Sequence, residues 1–140
     1  MTEDGFGSEP GIVTKISPRS VLDTTTLLTD LVLSRGLKLF AVINQDAEAR
    51  SVGLDLPETV LVIFGDPMKE TPVIADVRLA ALDVPLRALI WAHGGQTRIS
   101  YYAPTAIAGR HHLSAGQARR LTTIDTLTDA VIGAPGVTSP

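Results

Sequence analysis

Thr59-Val60-Leu61-Val62-Ile63-Phe64-Gly65-Asp66-Pro67 is the stretch whose reading decides the fold. It is an unbroken apolar run that ends abruptly in turn chemistry. Its β-branched and aromatic side chains suit a strand, and the run has the usual strand length of about six residues. Val60, Val62 and Phe64 share one face, and Leu61 and Ile63 share the other. A strand that is apolar on both faces needs cover on both.

The neighbouring segments repeat the pattern. Lys38 to Ile43 reads as a strand with Leu39, Ala41 and Ile43 on one face and Phe40 and Val42 on the other. Arg87 to Ala92 is another two-faced strand. Gly11 to Ile16 alternates and has one buried face. His93-Gly94-Gly95-Gln96 is hairpin-turn chemistry, because glycine tolerates positive φ, so Thr97 to Ala103 returns antiparallel to its predecessor.

Two long helices frame these strands. The first is expected to open at Ser17-Pro18, run to Ser34-Arg35 and end at Gly36 in a left-handed C′ position. Its stripe is Val21, Thr24/Thr25, Leu28, Leu31/Val32 and Arg35. The second follows Pro104-Thr105, with a break expected near Gly116 and a stripe of Ala118, Leu121, Ile124, Leu127/Thr128 and Val131. A short surface helix fits 44–53. Asp66-Pro67 reads as a turn, and Thr71-Pro72 opens a short helix to about Ala80. The fold class is therefore α+β: two-layer, β-α-β4-α, an antiparallel sheet with two long helices on one face. Residues 1–10 read as a flexible lead-in, 11–132 as one domain and 133–140 as a flexible tail.

Two helices cover only one face of a five-stranded sheet. Phe40, Val42, Leu61, Ile63 and one of Leu89 or Trp91 need other partners. Either the 72–80 element folds over the second face or another subunit covers it. Contiguous exposed apolar surface much above ~600 Å² is rare on monomers, so a homodimer through the sheet face is expected.

Composition narrows the function. The 140 residues are 44% hydrophobic and 19% charged, with a net charge of −3 from 12 basic and 15 acidic side chains. That balance argues against nucleic acid or an anionic membrane as partner. The absence of cysteine excludes disulfides, thiolate catalysis and Cys-ligated metals. Met1 to Pro10 has no apolar run, and no stretch nears the ~20 residues of a membrane-spanning helix, so a cytoplasmic protein is expected.

Specific stretches carry a resemblance: Gly36 to Phe40, Leu56 to Thr59, Val62 to Pro67, Thr71-Pro72, Leu82 to Arg87, Ser100-Tyr101 and Arg110-His111. Over about 11–113 the chain resembles the bacterial and archaeal family called domain of unknown function 302. The resemblance implies a fold similar to the TATA-box-binding-protein-like class, commonly dimeric, with no established activity. Where the family often carries Asp-His, this chain has Asn44-Gln45. Its Gly-Asn-Pro-Lys segment is here Gly65-Asp66-Pro67-Met68, with Lys69 next and Glu70 replacing a usual glycine.

The candidate ligand-binding residues are Arg110, His111, Tyr101 and Asp66. His111, Tyr101 and Asp66 are the candidate catalytic groups, though no spacing demands that they meet. No metal is expected: His111 and His112 point about 100° apart on a helix, and no His-x-x-x-His or Glu-x-x-His pair completes a site. No cofactor fingerprint is present. Asp83 and Arg87 flank Pro85 and are expected to form an ion pair. The readings are a homodimeric module holding a small, partly apolar ligand between the long helices and the sheet, an enzyme using His111 with Tyr101 or Asp66, or an interaction protein working through its sheet face.

Overall fold

Antiparallel pairing joins every neighbouring strand in a sheet ordered β1-β5-β4-β3-β2. The structure is a computed structural model that describes residues 10–133. The expected lead-in and tail lie outside the described residues apart from Pro10 and Gly133. The strands are β1 (Ile12–Ser17), β2 (Lys38–Asn44), β3 (Thr59–Gly65), β4 (Leu86–His93) and β5 (Gln96–Tyr102). The helices are α1 (Val21–Ser34), α2 (Gln45–Ser51), α3 (Pro67–Asp76), α4 (Pro104–His111), α5 (Ala115–Arg119) and α6 (Thr123–Gly133). A 3-10 turn, Arg78–Leu82, follows α3. The opening stretch, as β3, lies between β2 and β4, and its Val60, Val62 and Phe64 are buried in the core.

One face of the sheet carries that core. Helix α1 crosses β2, β3 and β4, and α6 lies against β1 and α1. Leu28 and Val32 from α1, and Ile124, Leu127 and Val131 from α6, meet Val62, Phe64, Ile90 and Ile99 from the sheet. Burying a side chain of this size contributes roughly 1.5–3 kcal/mol. Helix α1 also buries Thr24, whose Oγ1 lies 2.7 Å from Ser17 Oγ, so packing and this bond hold a threonine-rich stretch of weak helix propensity.

Several boundaries agree with local chemistry. Gly36 has φ 74°, and the Gly36 and Leu37 N–H groups donate to Leu33 O and Val32 O, a Schellman ending. Gly94 and Gly95, both at positive φ, close the β4–β5 hairpin between the paired His93 and Gln96.

Five expectations are corrected. Helix α1 begins at Val21, capped by Ser20 Oγ accepting from the Asp23 N–H, while Ser17 remains in β1 and binds Thr24. Asp66 is a helix cap rather than a bare turn, and Pro72 lies inside α3 instead of opening a helix. The final helical region breaks at His112, which ends α4 at φ 55°, whereas Gly116 sits within α5. In β2, Leu39 pairs with Phe64 and Ala41 with Ile63, so Phe40 is one residue too many. Cross-strand partners share a face. That bulge sends Leu39 and Val42 to the helix side and Ala41 and Ile43 to the opposite side, splitting the face expected for Leu39, Ala41 and Ile43.

The second face holds Ala41, Ile43, Leu61, Ile63, Leu89 and Trp91, so both Leu89 and Trp91 project there. Residues 72–80 do not cover it. Ile74 packs against the helix-side core, and the 3-10 turn after α3 meets α4.

Candidate functional site

Alternation along β4 and β5 places Arg87, Leu89, Trp91, Ser100 and Tyr102 on the open sheet face. Ile12 and Leu61 join Arg87, Leu89, Ser100 and Tyr102 around a groove of about 280 Å³. The groove is mainly apolar. Its Ser100 hydroxyl is already engaged, accepting from Trp91 Nε1 at 2.9 Å and lying 2.8 Å from Thr14 Oγ1. That leaves Arg87, at the rim, and the Tyr102 hydroxyl as the polar groups available to a ligand. Arg87 is exposed and forms no ion pair among the described residues.

The expected Asp83–Arg87 pair is replaced by a different one. Asp83 Oδ2 accepts from Arg110 Nη1 at 2.8 Å and from His111 Nε2 at 2.6 Å. Helix α4 is what delivers these donors. It starts at Pro104, buries Ile107, and turns Arg110 and His111 toward the residue that ends the 3-10 turn. Burial pushes the Asp83 carboxyl up, but the bonds from His111 and Arg110 outweigh it and hold the group below the usual carboxylate range. With Asp83 ionised, His111 Nε2 carries the shared hydrogen. The Arg110 guanidinium lies 5.3 Å from the Tyr102 ring centroid, a cation–π contact.

A cavity of about 60 Å³ separates this cluster from the groove, and Arg87 and Tyr102 line both. The arrangement therefore has two parts. The Asp83–Arg110–His111 cluster is bonded within itself and fastens α4 to the loop entering β4. The groove beside it offers apolar walls and one unpaired cation.

Tyr101 and Asp66 are occupied elsewhere. Tyr101 is 4% exposed and faces the helix side, where its hydroxyl donates to Asp125 Oδ1 at 2.6 Å. Burial raises its pKa, and the bond to Asp125 adds to the rise. Lys15 lies beside it, 2.7 Å from both Thr128 Oγ1 and Asp129 Oδ1. Asp66 accepts the Met68 N–H at 3.1 Å, and its own N–H donates to Glu70 Oε2 at 2.9 Å. The candidate trio of His111, Tyr101 and Asp66 is thus divided among three sets of partners.

Glu70 is the titrating group that local sequence reading passed over. It is 3% exposed, and burial raises its pKa to about 7 despite the Asp66 N–H, with the Asp66 charge adding to the rise. Its carboxyl lies over Gly65, where any Cβ would collide with it. The available signal was an acidic residue four positions after a capping Asp, at the end of an apolar strand.

Comparison with known proteins gives three kinds of match. The family model described as "Domain of unknown function DUF302" matches residues 13–131. A protein of Brucella suis biovar 1 named "Fluoride-specific ion channel FluC 1" is 37% identical over 106 residues, covering 75% of this chain and 42% of that protein. "Fluoride-specific ion channel FluC 2" of Brucella melitensis biotype 1 is also 37% identical over 106 residues, which are 39% of its length. The chain thus spans about two-fifths of the curated relatives it matches. A crystal structure of an uncharacterized conserved DUF302 protein from Bacillus stearothermophilus superposes with a TM-score of 0.75 at 16% identity, covering 89% of this chain and 97% of that one. At that identity the likeness concerns the fold.

Proposed function

The chain belongs to the DUF302 family, and from that premise we propose that it is a homodimeric module binding a small, largely apolar carboxylic acid on its open sheet face. One observation carries this reading: an apolar groove of about 280 Å³, uncovered among the described residues, whose one cation, Arg87, forms no ion pair among them. Leu61, Leu89, Ile12 and Tyr102 would take the apolar body, and Arg87 the carboxylate, in a charge-assisted hydrogen bond. A second copy laid over the face would exclude water and strengthen that pair.

Melting with octanoate and with octanol tests the ligand class. A ligand at a hundred times its Kd adds about 2.7 kcal/mol, a rise of several degrees for a domain of this size. Octanoate is expected to raise Tm more than octanol, and Arg87→Ala to remove the difference. Flat curves across short- and medium-chain acids would refute the ligand assignment.

A second reading is favoured by the curated relatives, in which the matching stretch is part of a longer chain named an ion channel. In that reading the open face packs against an ion-channel partner in place of a second copy. A monomer in solution favours it; a dimer favours the first.

A further inference from the structure

The helix layer, on the side of the sheet away from the groove, gathers a different chemistry. Lys69 of α3 and Arg119 and Arg120 at the end of α5 line one cleft of about 660 Å³, with Asp76, Ser114 and Gln117. None of the three cations forms an ion pair with a carboxylate among the described residues. Yet the chain as a whole carries a net charge of −3, so overall composition does not account for such a cluster. Three cations against the single carboxylate of Asp76 leave the lining net positive, so an anion placed among them is attracted.

The walls of the cleft are tied together. Ser114 and Gln117 form a reciprocal capping box, and Gln117 Nε2 also donates to Asp76 Oδ2 at 3.3 Å. Arg120 Nη1 donates to Lys69 O at 3.4 Å. These bonds link α5 to α3 and bring the Arg120 side chain against Lys69. They also occupy Asp76, the carboxylate in the lining, with Gln117.

Lys69 lines a second cleft of about 280 Å³, shared with Arg35, Asp66 and the threonines at 122, 123 and 126. The two clefts meet at Lys69, so a ligand with two separated anionic groups can engage both. No aromatic side chain lines either cleft, which leaves no stacking surface for a nucleobase.

We propose that the α3–α5 cleft binds a soluble, non-nucleotide small molecule carrying two or more phosphate groups. Arg119 and Arg120 present planar guanidinium forks to one phosphate, and Lys69 acts as a point charge toward the next. This site is independent of the sheet-face groove.

Titration calorimetry of the full chain with pyrophosphate tests it, alongside sulfate at matched ionic strength. Pyrophosphate is expected to bind, and the double variant Arg119→Ala/Arg120→Ala to weaken binding by about tenfold or more. Lys69→Ala is expected to weaken it less, and Arg87→Ala, on the other face, to leave it unchanged. Circular dichroism checks that the variants fold, as substitution of exposed side chains allows. Sedimentation with phosphatidylcholine vesicles containing phosphatidylglycerol is the remaining arm. The proposal is overturned if sulfate gives equal heats, if the double variant binds as wild type, if Arg87→Ala abolishes binding, or if only the vesicles are bound.

Discussion

Asp83→Ala is expected to lower the stability of the fold by about 2 kcal/mol at pH 7, a fall in Tm of roughly 6 °C for a chain of this length. The reason lies in what the substitution leaves behind. One oxygen, Asp83 Oδ2, accepts from both Arg110 and His111, and the His111 side chain is only 9% exposed. Removing the acceptor strands a buried ring N–H on His111, which costs about 1–3 kcal/mol. The Arg110 side chain is 47% exposed and turns to water, so its loss adds little. Asp83→Asn keeps an acceptor but loses the charge, so its cost is expected to be smaller. The pH dependence has a definite sign. The Asp83 carboxyl is held below its ordinary value in the folded chain, so its contribution is present above the unfolded pKa of about 3.9 and fades as pH falls through the folded value. Urea unfolding of wild type and variant at pH 7 and pH 3 measures both. A difference under about 0.5 kcal/mol at pH 7 would show the cluster to be energetically idle.

Glu70→Gln is expected to act in the opposite sense, stabilising the protein at high pH. Glu70 is buried with no cation paired to it among the described residues, and its pKa rises from 4.5 to about 7. The folded state then holds a proton that the unfolded chain has already released. Stability from this group is greatest below pH 4.5, falls as pH rises, and levels off once pH exceeds about 7. The total change is on the order of 3 kcal/mol, since each pKa unit corresponds to about 1.4 kcal/mol. Glutamine keeps an oxygen for the Asp66 N–H and does not titrate. Its amide nitrogen gains no assured partner, which costs about 1 kcal/mol at every pH. The variant is therefore expected to be less stable than wild type at pH 4.5 and more stable at pH 8, by about 2 kcal/mol. Parallel unfolding curves across that range would contradict a buried, unpaired Glu70.

Where the chain was legible, the signals were local. The run at 59–65, the alternation of β5, Gly36 and the Gly94-Gly95 turn each declare themselves within a few residues, and the β-α-β4-α order followed from them. The register of β2 did not, because the bulge at Phe40 is a property of how β2 meets β3, and a single extra residue exchanges faces. Two helix starts were missed for another reason. Ser20 with Asp23, and Ser114 with Gln117, are capping signals, but nearby Ser-Pro and glycine punctuation drew the boundaries elsewhere. The site was less legible still. Arg110 and His111 stood out as chemical residues, yet their partner Asp83 lies 27 and 28 positions away, and proximity along the chain favoured Arg87 instead. That misassignment matters for function, since the true pairing leaves Arg87 unpaired at the groove.

The two-faced apolar character of β3 leads to the account's central claim, that a second copy covers the open sheet face. Sedimentation equilibrium at micromolar concentration tests this most directly, on wild type and on Leu61→Arg, whose charge would sit in the middle of that face. The wild type is expected at twice the 14.8 kDa chain mass, and the variant at the single-chain mass with an unchanged circular dichroism spectrum. A wild type that sediments at 14.8 kDa at every concentration and salt condition would contradict the claim.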